Sequence, residues 1–591
     1  MTVSTIAVFS GNAYNISAGE TDINDLVYAG GTLNVLSGGS ASFTTDYGAV
    51  NVSAGAVDFA DYVLGAQYVY GSATDTEVAS GGTQITEFTM EQSFFTLGTA
   101  IDTVIDNGGL QEVSIGTAIG TVDFGIQEVE GIGIAIGAIV YSDQYVSGFG
   151  TANGSFIKAG GVQYLSAHAT ASDTVIDGTQ FDLDFASASD TVIDSGARQY
   201  VENNAFASGT VVNGGGGQYV YDFATVSGTI IASGGDQYLR EYSTAIGTVV
   251  SRGVQYLYDY STAIGTVVDG GGEEFVEDSA TASSTTISKG GLVDVGIYAS
   301  AVNPVLSGGS LFVGGTLLIE DASLSVSAGA VTLSAGAQID LENGQLSSVE
   351  LPIYEIPSGV TVDAIGGTNA LSGVFSNDGT IRVDNGATLT LNGIFAGGTV
   401  LANSGTIVIA GEGPYATVVG GLTLINNGVV DILHASKEDV EFQSGGTGGL
   451  ELADAGQYTG EIGDFGGSSS QFIDFPNITS SGATVNYTST STDTGVLTVG
   501  SGGHIVASID FFGRYVTSNF IPGNDGSGHL EITDPPVGTV TGGAVTTPAY
   551  NVALLGSYMA SLFASTEGQV STQVTAETGH SVAALASPHT V

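Results

Sequence analysis

From Gly216 to Gly235 the chain reads GGQYVYDFATVSGTIIASGG. Two short runs of β-branched and aromatic residues, Gln218-Tyr219-Val220 and Thr229-Ile230-Ile231, are separated by small residues and closed by glycines. The first run returns at Gln144, Gln163, Gln180, Gln199, Gln237, Gln255 and, as a glutamate, Glu274, in steps of 17 to 19 residues. The second keeps pace with it, as in Thr174-Val175-Ile176, Thr191-Val192-Ile193, Thr210-Val211-Val212, Thr248-Val249-Val250 and Thr266-Val267-Val268. Such runs are too short for helices and too regular for a sandwich. Glycine supplies the positive φ angles that the turns between them require. The spacing predicts an all-β solenoid, in which each coil lays a strand parallel to the one below at ~4.8 Å and equivalent side chains stack in columns.

One column is aromatic: Tyr145, Tyr164, Phe181, Tyr200, Tyr219, Tyr238, Tyr256 and Phe275. Strand alternation puts Gln218 and Val220 on the opposite face from Tyr219. Two arrangements follow. If Val220 is core, the tyrosines form an outward stripe suited to stacking sugars or partner chains; if they face inward, they are core spacers.

The GGxQYV…ATAxxTVI unit, over residues 60–300, resembles the repeats of AIDA-type autotransporter passengers. That resemblance implies a right-handed parallel β-helix and a role in adhesion, aggregation and biofilm formation at a bacterial cell surface. The chain departs from the family in two ways. Its first residues, MTVSTIAVFSGNAYNISAGETD, have no basic n-region or cleavage site, and its last residues cannot supply the amphipathic strands of a translocating barrel. Export by a leaderless route with a C-terminal signal is the expectation.

Composition narrows the partners. Among 591 residues are 91 glycines, 10 prolines and no cysteine or tryptophan, which suits many tight turns, leaves helix scarce and removes disulfide and thiolate chemistry. Hydrophobic residues at 42% can supply a core. Eight basic residues against 60 acidic ones give a net charge of −52, which repels phosphate backbones and anionic lipid, so nucleic acid is not an expected partner. The same charge keeps a long β structure soluble and resists side-by-side aggregation; diffuse divalent-cation binding is its other reading. No run of about 18 uncharged apolar residues suggests a membrane span.

The chain divides into residues 1–59, an N-terminal cap and first coils; 60–300, the regular repeat; 301–435, a continuing solenoid of looser period; 436–536, a β-rich C-terminal cap; and 537–591, a linker, an amphipathic helix and a secretion signal. In the third segment NDGTI, NSGTI and NNGVV recur with Asn and Gly turns. A terminal module would cover the open end of the stack. In the last, Val552, Leu555, Tyr558, Met559 and Leu562 share a helical face, and the tail that follows is expected to engage secretion machinery.

Catalysis would need acids and bases in particular arrangements. β-Helical lyases need a basic residue beside carboxylate-held Ca²⁺, and none of the eight bases lies in such a motif. Glycosidases need paired carboxyls; Asp182 with Asp184, expected on one strand face, and Glu273 with Glu274 are the adjacent acids. The six histidines lack zinc-like spacing, and no GxSxG or P-loop occurs. GNDGSGHLE, holding Asp525 and Glu531, is a single acidic loop able to take Ca²⁺.

The expected protein is thus a secreted or surface scaffold and adhesin of about 25 coils, not an enzyme. It would bind polysaccharide or cell-surface glycans, or copies of itself, through Tyr145, Tyr164, Tyr200, Tyr219, Tyr238 and Tyr256. A carbohydrate-active β-helical enzyme is the alternative.

Overall fold

The computed structural model describes residues 3–534, apart from residues 92–93, 327–330, 349–353, 358, 378–379, 384–386, 397–398, 404–405, 410–416, 420–421, 425–428, 438, 443–446 and 467–469. The helix expected near residues 552–562 and the tail after it lie outside the described residues. The described chain is a parallel β-solenoid of about 21 coils spaced about 19 residues apart. No helix among the described residues is long and apolar enough to cross a membrane.

Each regular coil contributes three short strands. Thr225–Ser227, Ile230–Ile231 and Asp236–Leu239 pair in parallel with Thr244–Ile246, Val249–Ser251 and Val254–Leu257 of the next coil. Within these strands Val226, Ile231, Gln237 and Leu239 point inward and are fully buried, while Ile230 and Tyr238 point outward. The core is therefore a stack of columns. Ile176, Ile193, Val212, Ile231 and Val250 form one, and Val201, Val220, Leu239 and Leu257 another. Alanine dominates the third, as Ala171, Ala188, Ala207, Ala245 and Ala263, because three large side chains do not fit together in one narrow section. Each buried Val, Leu or Ile stabilises the coil by ~1.5–3 kcal/mol.

The corners are equally repetitive. Where the third strand passes to the first strand of the next coil, a four-residue turn such as Leu183-Asp184-Phe185-Ala186 closes with the Ala186 N–H donating to the Leu183 carbonyl at 3.0 Å. Both central residues have positive φ, 48° at Asp184 and 66° at Phe185, which is the type I′ turn. Where the second strand passes to the third, glycine recurs because the coils nearly touch. A Cβ on Gly235 would lie 2.7 Å from the carbonyl oxygen of Val212, one coil below. Ala197 fills the equivalent place two coils earlier and is buried. Gly235→Ala is therefore expected to cost about 1 kcal/mol, the small shift that Ala197 shows the corner can make, and Gly235→Val about 3 kcal/mol, because the larger side chain overpacks it further, read by urea unfolding.

Stacking begins at the first described strand, Val3–Ser4, which pairs with Thr21–Ile23. An antiparallel hairpin, Phe88–Glu91 with Phe94–Ile101, leaves the stack between two coils. Beyond residue 310 the coils lengthen: the Gly344 N–H donates to Asn369 Oδ1, 25 residues on, against 17 to 19 in the regular part. The described residues hold about 21 coils, against the expected 25. Parallel pairing finally gives way to antiparallel strands, with Gln471–Thr479 against His529–Thr533 and a meander of Thr484–Ser489, Thr494–Ser501 and His504–Phe512. Rings of Phe465, Tyr487, Phe511, Tyr515 and Phe520 pack together there.

Candidate functional site: an outward aromatic face on a glutamine spine

The third strand of each coil decides between the two arrangements that its sequence permits. Glutamine and the aliphatic residue go in, and the aromatic residue goes out. Inside, eleven glutamines from Gln67 to Gln255 form one continuous chain of side-chain amides. Each Nε2 donates to Oε1 of the glutamine one coil earlier at 2.5–2.9 Å. Threonines that open the second strand add a second donor: Thr229 Oγ1 reaches Gln218 Oε1 at 3.1 Å and Thr266 Oγ1 reaches Gln255 Oε1 at 3.2 Å. A buried amide is tolerated only when so satisfied.

The chain has a direction, and its ends match it. At the start, Gln67 Nε2 donates to Asp58 Oδ2 and Asp61 Oδ2, both at 3.1 Å. At the far end Gln255 Oε1 accepts from Thr266 Oγ1, and the place of the next glutamine is taken by Glu274, fully buried and not bonded to Gln255. Burial pushes Glu274 up to about 7, and as a neutral acid it carries an O–H donor where the next amide would have been.

Outside, the eight rings from Tyr145 to Phe275 stack without a break, with centroids 4.8–5.4 Å apart and planes within 4–17°. Each inner ring thus has both faces covered by its neighbours. What reaches solvent is a row of ring edges and phenol hydroxyls at the coil spacing. Burial pushes the Tyr238 hydroxyl up to about 12, so it remains a donor at neutral pH. Acidic residues bound the column, Glu128 one coil before Tyr145 and Asp294 one coil after Phe275.

A second aromatic column, absent from the sequence reading, runs along the adjoining turn. Phe223, Tyr242 and Tyr260 stack at 5.3 and 5.2 Å, and Phe149, His168 and Phe185 at 6.0 and 5.6 Å. Tyr221 and Tyr258 join the two columns at 6.5 and 6.2 Å from Tyr219 and Tyr256, and the Arg240 guanidinium lies 4.8 Å over the Tyr258 ring. The signal lay in the sequence as a second recurrence at the same step, but its mixture of Phe, Tyr, His and Asn hid it.

The paired acids do not converge. Asp182 closes its strand pointing inward, in the aliphatic column between Leu165 and Val201, and is fully buried, whereas Asp184 lies past the strand end at an exposed turn position. Alternation stops where the turn begins, so the two share no face. Glu273 and Glu274 split likewise, one outward and one in the core. Lys158 sits 3.4 Å over the Phe156 ring and 3.8 Å from Asp177.

In the loop holding Asp525, the carboxylate is taken up by the loop itself. Oδ1 accepts the N–H groups of Ser527, Gly528 and His529 at 2.7–2.9 Å, and Oδ2 lies 3.0 Å from His529 Nδ1. Slight burial pushes this carboxyl up, but the His529 and Ser527 N–H groups and the imidazole outweigh it and hold it below the usual range. Glu531 stands on the adjacent strand opposite Asp474. Among the described residues no three His, Asp or Glu side chains group to hold a metal ion.

No family model and no curated protein matches the chain. Among solved structures, a TibA fragment hyper-glycosylated by TibC is similar at 29% identity over 56% of this chain and all of that one, with a TM-score of 0.34. A tailspike protein of E. coli bacteriophage HK620 in complex with a pentasaccharide is similar at 11% identity over 86% of this chain and 85% of that one, with a TM-score of 0.18.

Proposed function

We propose that this chain is a secreted or cell-surface scaffold and adhesin that holds glycans, or copies of itself, by avidity along a repeated face, and that it is not an enzyme. The observation that carries this reading is the unbroken outward column from Tyr145 to Phe275. Its ring edges repeat at the coil spacing, with hydroxyls on every coil from Tyr200 to Tyr256, so successive sugars would meet equivalent groups. Ring edges offer hydrogen bonds and apolar rims; the covered ring faces are closed to stacking. Individually weak contacts of this kind add by multivalency. The separation of Asp182 from Asp184 and of Glu273 from Glu274 supports a non-catalytic role, since acid and base must flank one bond.

The test incubates the purified chain with insoluble neutral polysaccharides and scores pelleted protein and released sugar in the same tubes. Pelleting without released sugar is expected, weakened at least tenfold in a Tyr200→Ala/Tyr219→Ala/Tyr238→Ala variant that keeps its β-sheet spectrum. Released sugar would overturn the non-enzymatic reading, and unchanged pelleting by the variant would overturn the assignment of the face.

A further inference from the structure

We propose that the break in the turn column between Phe185 and Phe223 is a binding slot for an ammonium-bearing sugar, an inference that rests on the glycan-binding reading above and gives it a ligand class. Strand register aligns Phe185, Asn204 and Phe223 on three successive coils, through Ser187 opposite Phe206 and Phe206 opposite Thr225. Backbone bonds hold the column: the Asn204 N–H donates to the Asp222 carbonyl and the Phe223 N–H to the Glu241 carbonyl, both at 3.1 Å. His168 covers the outer face of Phe185 and Tyr242 that of Phe223. Between the two phenyl rings stands only Asn204, so each ring keeps one face open; their exposures are 58% and 60%.

Two coil steps separate these faces by about 10 Å. A cation seated midway between the rings and outside the Asn204 amide would lie ~5–6 Å from each centroid, within the ~6 Å reach of a cation–π contact. The charge agrees. Asp184 and Asp222 occupy the neighbouring turn positions and Glu202 the coil between them. Burial and then the Asp222 charge push Glu202 up, and a hydrogen bond that Glu241 donates to Asp222, then the Asp222 charge, push Glu241 up. The slot is thus set in crowded negative charge that a cation would relieve, while an acidic sugar would be repelled. Arg240, the cation beside it, is engaged over Tyr258.

The rings are not there for folding. Phe185 and Phe223 have φ of 66° and 61°, a conformation that costs a bulky residue about 1 kcal/mol or more and that Asn204, at 63°, adopts more cheaply in the same column. Strain of this kind marks a surface kept for contact. The pattern recurs four coils on, where Ser279 separates Tyr260 from Tyr298, which is 84% exposed, beside Asp259 and Asp278. Two slots on one edge suit a polymer.

The full chain is titrated calorimetrically with a hexamer of glucosamine and with the fully N-acetylated hexamer, as wild type and as an Asn204→Phe/Ser279→Tyr variant that fills both slots. Aromatic residues already occupy these turn positions on other coils at positive φ, so the variant is expected to fold, with a melting temperature lowered by no more than a few degrees. The expected result is binding of the glucosamine hexamer, at least tenfold weaker for the acetylated one and at least tenfold weaker in the filled variant. Equal binding by the filled variant, equal binding of the acetylated hexamer, or equal competition by tetralysine would overturn the proposal. Should the filled variant unfold, Phe223→Ala replaces it and the same loss is required. Pelleting on neutral polysaccharide, which depends on the tyrosine column, is expected to survive slot filling, so loss of one property without the other tells which reading has failed.

Discussion

Gln218→Leu is expected to destabilise the regular coils by about 3–5 kcal/mol, measured as a shift in urea unfolding followed by tyrosine fluorescence. Leucine fits the volume but offers neither donor nor acceptor. Gln237 Nε2 loses its acceptor at 2.7 Å and Thr229 Oγ1 its acceptor at 3.1 Å, both in the core. Each stranded buried donor costs about 1–3 kcal/mol. Gln199 Oε1 fares better, because Thr210 Oγ1 still donates to it at 3.3 Å. Replacing the partner as well does not help, since Gln237→Leu merely strands Gln255 Nε2, which donates to Gln237 at 2.7 Å. A directional chain of amides can be ended only where a matching group waits, as Asp58 and Asp61 do for Gln67 and Thr266 does for Gln255. Gln218→Glu supplies the informative contrast. Neutral at pH 5, it is expected to keep most of the stability there and to lose it by pH 8.5.

That chain also explains how far the sequence could be read. The phrase with Gln218, Tyr219 and Val220 made the period and the stacking legible, because only a coil repeats two short strands at such a step. It did not make the inside legible. An interior glutamine breaks the rule that polar residues face water, and it does so lawfully only when the next coil supplies a partner, which a single repeat cannot reveal. Asp182 shows the same blindness: as one of the acids in FDLDF it read as sharing a strand face with Asp184, and its burial is visible only once it is aligned with Leu165 and Val201. The outward tyrosines were legible as one of two arrangements, but not that stacking would close their faces. The turn column was hidden because positive φ at Phe185 or Tyr242 is a backbone property with no aromatic signature in sequence.

Asp182 is further expected to make this acidic protein more stable in acid than in base. Burial raises its carboxyl to about 8, although Gln199 Nε2 donates to Oδ2 at 2.8 Å; Oδ1 has no partner. Burial also raises Asp46, Asp123 and Glu274 to about 7 and Asp25 to about 6. A group whose pKa is higher folded than unfolded contributes stability that is fully present below its unfolded value, near pH 4, and is lost as pH rises through its folded value. Folding takes up protons here, so unfolding free energy falls between about pH 4 and pH 8. For Asp182 alone the loss is on the order of 5 kcal/mol, from a rise of about four units. General repulsion among surface carboxylates has the same sign, so the slope by itself does not identify the residue. Asp182→Leu does. It restores the aliphatic column, leaves the surface unchanged, and is expected to stabilise the chain by about 3–5 kcal/mol at pH 8.5 and by less than about 1 kcal/mol at pH 4, in urea titrations at both. Gln199 Nε2 keeps its bond to Gln180 Oε1 at 2.9 Å and loses the one its second N–H makes to Asp182, which leaves it a single acceptor, as for Gln218 and Gln237 in the same spine. An equal gain at the two pH values would mean that Asp182 titrates normally and that the coil opens there to water.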